Sequence, residues 1–137
     1  MDCLFCKIIQ GELPCERIYE DKDILAFLDL YPINEGHVLI VTKEHFQGLL
    51  ELPADKLSKL AIVMQRVASA VKEAYGLRGF NILLNDGRIG GQAIPHIHFH
   101  VIPRFYGDGV RVPSGHRPYI EGKIQQVREK IVEKLRA

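Results

Sequence analysis

Hydrophobic positions along the chain change period several times, and each change predicts an element. Between residues 53 and 75, Leu57, Leu60, Ala61, Met64, Val67, Ala68 and Val71 recur at spacings of three and four. That spacing lines up one apolar stripe on a long amphipathic helix, opened by Pro53 and stopped by Gly76. Strand formers concentrate at 17–19, 24–30, 37–41, 80–84 and 97–103. Turn residues separate the first three runs: Glu20-Asp21-Lys22-Asp23, then Tyr31-Pro32-Ile33-Asn34-Glu35-Gly36. Residues 4–9 read as a short helical turn, and Ile124, Val127, Ile131 and Leu135 mark a C-terminal helix. Five strands with one long and one late helix, in mixed order, predict an α+β fold with an antiparallel sheet. With 137 residues and no repeat or linker, a single domain is expected, residues 1–104 forming its core and 105–137 a loop and helix.

Composition changes this picture little. Hydrophobic residues make up 47% and charged residues 26%, which excludes a disordered chain. A net charge of +1 gives no electrostatic reason to expect a nucleic-acid partner. From Arg104 onward there are eight Lys/Arg against four Asp/Glu, a bias read as a solvated helix face. No run approaches the roughly 18 apolar residues of a membrane span, and the first residues lack the features of a signal peptide. The expected location is the cytoplasm, where thiols stay reduced. There, Cys3-x-x-Cys6 suggests metal or redox chemistry before a disulfide.

The chemistry concentrates in Pro95-His96-Ile97-His98-Phe99-His100-Val101-Ile102-Pro103. On a strand, side chains alternate between faces, which would put His96, His98 and His100 on one side and Ile97, Phe99 and Val101 in the core. Solvated strand faces usually mix Thr, Lys, Glu and Ser, so three histidines in register ask for a function. One is a metal site, although alternate positions on a flat strand spread over roughly 13 Å and converge poorly on one ion. The other is nucleophilic attack on phosphorus by a neutral imidazole, with a neighbouring histidine bonding phosphate or leaving group. The preceding stretch from Asn85 to Gln92, with Gly87, Gly90 and Gly91, offers backbone N–H groups for an anion.

In these residues the chain resembles the histidine triad (HIT) family, whose motif alternates three histidines with apolar positions. The resemblance runs from Cys3 to Arg104 and includes Asp29-Leu30, His37-Val38-Leu39-Ile40-Val41 and Asn85. It implies a HIT-like fold, a twofold homodimer whose sheets meet edge to edge, and a purine nucleotide as substrate. It further implies that His98 attacks the α-phosphorus to form a nucleotidyl-histidine, from which water releases a nucleoside monophosphate. His100 would contact phosphate and leaving group, and His37 would steady the triad. Asn85, Gly91, Gln92 and Ala93 would line the phosphate loop, and Asp29 would accept both ribose hydroxyls. Phe5, Ile8, Phe27 and Leu30 would form the slot for the base. Ala93 departs from the serine of the phosphoramidase branch, and over thirty residues follow the triad. Both features favour dinucleoside polyphosphates or a broader nucleotide range. A nucleotidyl transferase and a non-catalytic nucleotide-binding module are the alternatives.

The resemblance also bears on Cys3 and Cys6. With His45 and with His96, the triad member the chemistry does not need, they make a Cys2His2 set suited to a closed structural zinc site. Free thiols and a redox dithiol are the competing readings. Cys15 is read as a small buried residue without a role.

Overall fold

The structure, a computed structural model, describes residues 2–111 and 116–136. Its elements run α1 (Leu4–Ile9), β1 (Arg17–Glu20), β2 (Ile24–Leu28), β3 (Val38–Thr42), α2 (Ala54–Tyr75), β4 (Gly79–Leu84), β5 (His98–Arg104) and α3 (Lys123–Arg136). Five strands form one antiparallel sheet in the order β1-β2-β3-β5-β4, as the α+β expectation requires. No helix among the described residues is long and apolar enough to cross a membrane.

Each sheet face is covered by a different helix, because β2 and β3 are apolar on both sides. On one face, Ile24, Ala26, Val38, Ile40 and Val101 pack against Leu60, Val63, Val67, Ala68 and Val71 of α2. On the other, Leu25, Phe27, Leu39 and Val41 pack against Cys3 and against Phe5 and Ile8 of α1. The α2 stripe is rotated from the one predicted. Val63 is buried, whereas Leu57 and Ala61 are exposed, since the buried arc centres near Val67 and they fall on its margin. Gly76 closes α2 in the left-handed conformation (φ +60°), and the Leu77 amide reaches back to the Lys72 carbonyl. This is the usual glycine-dependent stop.

Strand limits shift in ways that matter to the site. β2 ends at Leu28 rather than residue 30, which leaves Asp29 and Leu30 in the turn beyond it. β3 begins at Val38, so His37 stands just before it. β5 begins at His98, and His96 lies in the bend ahead of the strand. The three histidines therefore do not share a strand face as expected; Ile94-Pro95 turns the chain before β5 can start. Helix α3 exists, but Ile124, Ile131 and Leu135 are more than half exposed.

Candidate active site

Register brings the site together. Phe27 pairs with Leu39, Leu39 with His100, and His100 with Leu83. Val41 pairs with His98. His98 and His100 thus project from the same face as Leu25, Phe27, Leu39 and Val41, beneath α1. Phe5 of α1 sets its ring edge against His98, with centroids 5.0 Å apart, and against Phe27 at 5.6 Å. Beside them is a cavity of about 120 Å³ lined by Phe5, Ile8, Phe27, Asp29, Leu30 and Leu39, among others. The four apolar residues predicted for a base slot do line one space. Leu30, at 72% exposure, stands at its rim. Pro14, Cys15 and Tyr31 also line it, and no periodic signal in the sequence pointed to them.

The tautomer of each triad histidine is set by the partner behind it, and His98 differs from the other two. His96 places Nε2 2.7 Å from the Thr42 carbonyl, so Nε2–H donates and the Nδ1 lone pair faces the cysteines. His98 places Nδ1 2.8 Å from the His96 carbonyl, so Nδ1–H donates and Nε2 keeps its lone pair. His100 takes its setting from His37. The Ile33 amide donates to His37 Nδ1 at 3.1 Å, which leaves the proton of neutral His37 on Nε2. That Nε2 lies 2.9 Å from His100 Nδ1 and donates to it, which leaves the His100 proton on Nε2. His100 Nε2 is buried and has no hydrogen-bond partner among the described residues. A buried N–H without an acceptor is costly. The result is a lone pair on His98 beside a donor on His100, with ring centroids 5.0 Å apart.

Burial keeps these rings neutral. It lowers the pKa of His98 and His37 against the opposing charge of Asp29, and brings His100 down to about 4. Asp29 accepts the Tyr31 amide on Oδ1 at 2.9 Å, while Oδ2 lies 3.7 Å from His37 Nε2. A carboxylate has further lone-pair sites, so Asp29 can still accept a ligand's hydroxyl groups.

The glycine-rich loop begins at the end of β4, where the next step of register would set Asn85 beside His98. Its own bonds decide which groups can meet an anion. The amides of Gly90, Gly91 and Gln92 donate to carbonyls of Gly87 and Arg88. The Gln92 side chain is spent as well, donating to Gln47 and Ile94 carbonyls and accepting from Gly87. Gly91 and Gln92 therefore shape the loop rather than offer donors. The Asn85 amide group packs on Gly91 and makes no hydrogen bond among the described residues, and neither does the Ala93 backbone N–H.

At the far end of the same region, ligand atoms of Cys3, Cys6, His45 and His96 all lie within 4.8 Å of one another. Cys3 Sγ is 3.4 Å and Cys6 Sγ 3.6 Å from His96 Nδ1, and Cys6 Sγ is 3.3 Å from His45 Nδ1. Tetrahedral zinc with its usual bond lengths gives S···N edges of about 3.6 Å, so the set fits. Burial lowers His96 to about 4 and keeps the ring neutral, and with its proton on Nε2 bonded to Thr42 the Nδ1 lone pair is free. Asp29, His37 and His100 also fall within 4.8 Å of one another. There the Ile33 amide turns the His37 lone pair away, and Nε2 holds a proton where a metal would need electrons. Distance alone admits both clusters; tautomers admit one.

Comparison with known proteins identifies the family. Residues 10–107 match the HIT domain family. An adenosine 5'-monophosphoramidase of Schizosaccharomyces pombe is 37% identical over 139 residues, covering 99% of this chain and 100% of that protein. An adenylylsulfatase of Arabidopsis thaliana is 43% identical over 103 residues, 75% of this chain and 52% of that protein. A zinc-bound histidine triad family protein from Mycobacterium smegmatis has the same fold, with a TM-score of 0.75 and 36% identity over 98% of this chain and 96% of that one. The chain belongs to the histidine triad family and is an enzyme of its hydrolase kind.

Proposed function

We propose that this protein hydrolyses adenylyl compounds of the form AMP–X by way of a nucleotidyl-His98 intermediate. The observation that carries the reading is the pairing of an available lone pair on His98 Nε2 with the unpartnered Nε2–H of His100. His98 attacks the α-phosphorus, and the P–X bond breaks with the His100 Nε2–H hydrogen-bonded to X, which takes up a proton from solvent as it leaves. Water then attacks the phosphorus, the P–N bond to His98 breaks, one water proton passes to solvent, and AMP leaves with the His98 lone pair restored. The apolar cavity takes the base, Asp29 the ribose, and Asn85 with the Ala93 amide the phosphate. A phosphoramidase and an adenylylsulfatase among the relatives support a site that tolerates different X. Chain length gives no ground for preferring dinucleoside polyphosphates, since the S. pombe phosphoramidase is matched end to end.

Zinc on Cys3, Cys6, His45 and His96 belongs to the same reading, supported by the fit of the four ligands. When bound it supplies structure, because a closed tetrahedral site has no position for substrate. Cys3 also caps α1, accepting the Cys6 amide at 3.4 Å, so this site fastens the helix that carries Phe5. Thiolate ligands suit a reducing compartment such as the cytoplasm. A homodimer is supported by β4, an edge strand without charge or proline (Gly-Phe-Asn-Ile-Leu-Leu) whose Ile82 is 43% exposed.

Rapid acid or base quench with adenosine 5'-phosphoramidate labelled at the α-phosphorus tests the reading. Label on the protein, stable in base and labile in acid, is expected, and its absence from His98→Ala identifies the site. Turnover with no protein-bound label under conditions of rapid X release would overturn it.

A further inference from the structure

The proton on His100 Nε2 depends on a loop that never touches it. That loop, residues 31–36, carries the Ile33 amide, the one partner that His37 Nδ1 has among the described residues. Were this amide to drift, His37 could hold its proton on Nδ1 and turn a lone pair toward His100. His100 would then keep its proton on Nδ1, and Nε2 would have none to give. Whatever fixes the loop therefore sets the direction of the relay.

Asn34 fixes it. Its carbonyl accepts the His37 amide at 3.1 Å, while its side-chain Nδ2 donates to the Pro103 carbonyl at 2.8 Å and to Asp108 Oδ2 at 3.0 Å. Asp108 is 8% exposed at its side chain and is itself held from four directions. Arg104 donates to it through Nε at 2.9 Å and Nη2 at 3.1 Å, and the Phe105 and Val110 amides add two bonds. On the other side of the loop, Tyr75 donates to Glu35 and its ring fills the space where a Cβ on Gly36 would lie, 2.7 Å from Cε2. Gly36, at φ +91°, tolerates both demands.

We propose that Asn34 and Asp108 are positioning residues that press the Ile33 amide onto His37 Nδ1 and so keep the His100 proton on Nε2. The inference rests on the reading of His100 as hydrogen-bond donor to X given above. In Asn34→Ala, the His37 Nδ1 signal in 15N NMR should move away from the position of an unprotonated nitrogen. With adenosine 5'-phosphoramidate, kcat should fall about five- to twentyfold, the worth of one hydrogen bond, with KM within about twofold. Asp108→Asn should do the same more strongly, and Asn34→Ala keeps the test open where that variant folds poorly. In a His37→Gln background, Asn34→Ala should cost nothing further, because the group it acts through is gone. An unmoved His37 signal, or a loss that persists undiminished in the His37→Gln background, would overturn the proposal. Failure of the underlying reading shows elsewhere: His98→Ala would turn over while the NMR result stood.

Discussion

Two clusters of histidine lie within a few residues of each other and differ in what stands behind each ring. In the Cys3, Cys6, His45 and His96 cluster, a backbone carbonyl takes the Nε2 proton of His96 and leaves a lone pair facing two sulfurs. In the Asp29, His37, His98 and His100 cluster, a backbone amide and a carbonyl sort the protons so that one ring keeps a lone pair and its neighbour a hydrogen. The residue type is the same in both. Main-chain groups one step away decide whether imidazole serves as metal ligand, nucleophile or hydrogen-bond donor.

The largest effect should come from removing the one lone pair aimed at substrate. His98→Ala is expected to abolish turnover, by more than the ~10²–10⁴-fold typical of a proton-transfer residue, while nucleotide affinity survives. Single-turnover kinetics beside equilibrium binding measures both. A variant retaining a tenth of the activity would make His98 no nucleophile. On the metal side the pattern should invert. Cys6→Ser is expected to cost about 2–4 kcal/mol of stability, lowering Tm by about 5–15 °C and emptying the site of zinc, with turnover per folded molecule changed only a few-fold. Metal analysis of protein purified without a chelating tag decides this. Zinc near zero in the parent protein, with Cys3 and Cys6 open to thiol reagents, would remove the contrast between the clusters.

Much of this arrangement was legible in the sequence, and what was not has a common cause. Alternation around His98 and His100 and the five strands follow from residue type and spacing, while the zinc ligand set needed the family resemblance as well. The tautomers do not, because they are set by Thr42, His96 and Ile33 through backbone groups that every residue carries. The same holds for the loop: the resemblance implies that Gln92 lines it, and the side-chain donors of Gln92 turn inward. Asn34 and Asp108 had no signal at all, since an Asn in a Pro/Gly turn and an Asp near a glycine are ordinary turn residues. His96 was misplaced onto the strand because periodicity cannot see the bend that Ile94-Pro95 imposes.

A smaller effect concerns acid. Burial beneath α1, with His37 and His98 as neighbours and only Asp29 in opposition, brings His100 to about 4 from an ordinary value near 6.5. Below 6.5 the unfolded chain takes up a proton that the folded protein refuses, so stability is full above about 6.5 and declines as pH falls toward 4. Below 4 both states are protonated and this contribution stops changing. His37, lowered by burial in the same way, adds to the decline. His100→Gln should therefore flatten Tm against pH between about 6.5 and 4. An unchanged slope would mean that His100 titrates normally in the folded protein, against its burial.

The smallest expected change is at Ala93, and it bears on which X the donor side of the pair prefers. Ala93 is exposed, its backbone N–H is free of loop bonds, and it lies two residues beyond Gly91. A serine there fits without crowding and adds a hydroxyl beside the free amide. One added hydrogen bond to a charged or developing charge is worth about 1.5–3 kcal/mol at most, which limits the effect to roughly a hundredfold. If the hydroxyl reaches the leaving nitrogen of a phosphoramidate better than the bridging oxygen of a polyphosphate, Ala93→Ser raises the ratio of the two kcat/KM values within that limit. A rise in both alike would place the hydroxyl on the phosphate that the substrates share. The ratio, measured on one enzyme preparation with both substrates in competition, separates these. No movement in either value would mean that position 93 meets solvent rather than substrate, and would leave leaving-group choice to His100 alone.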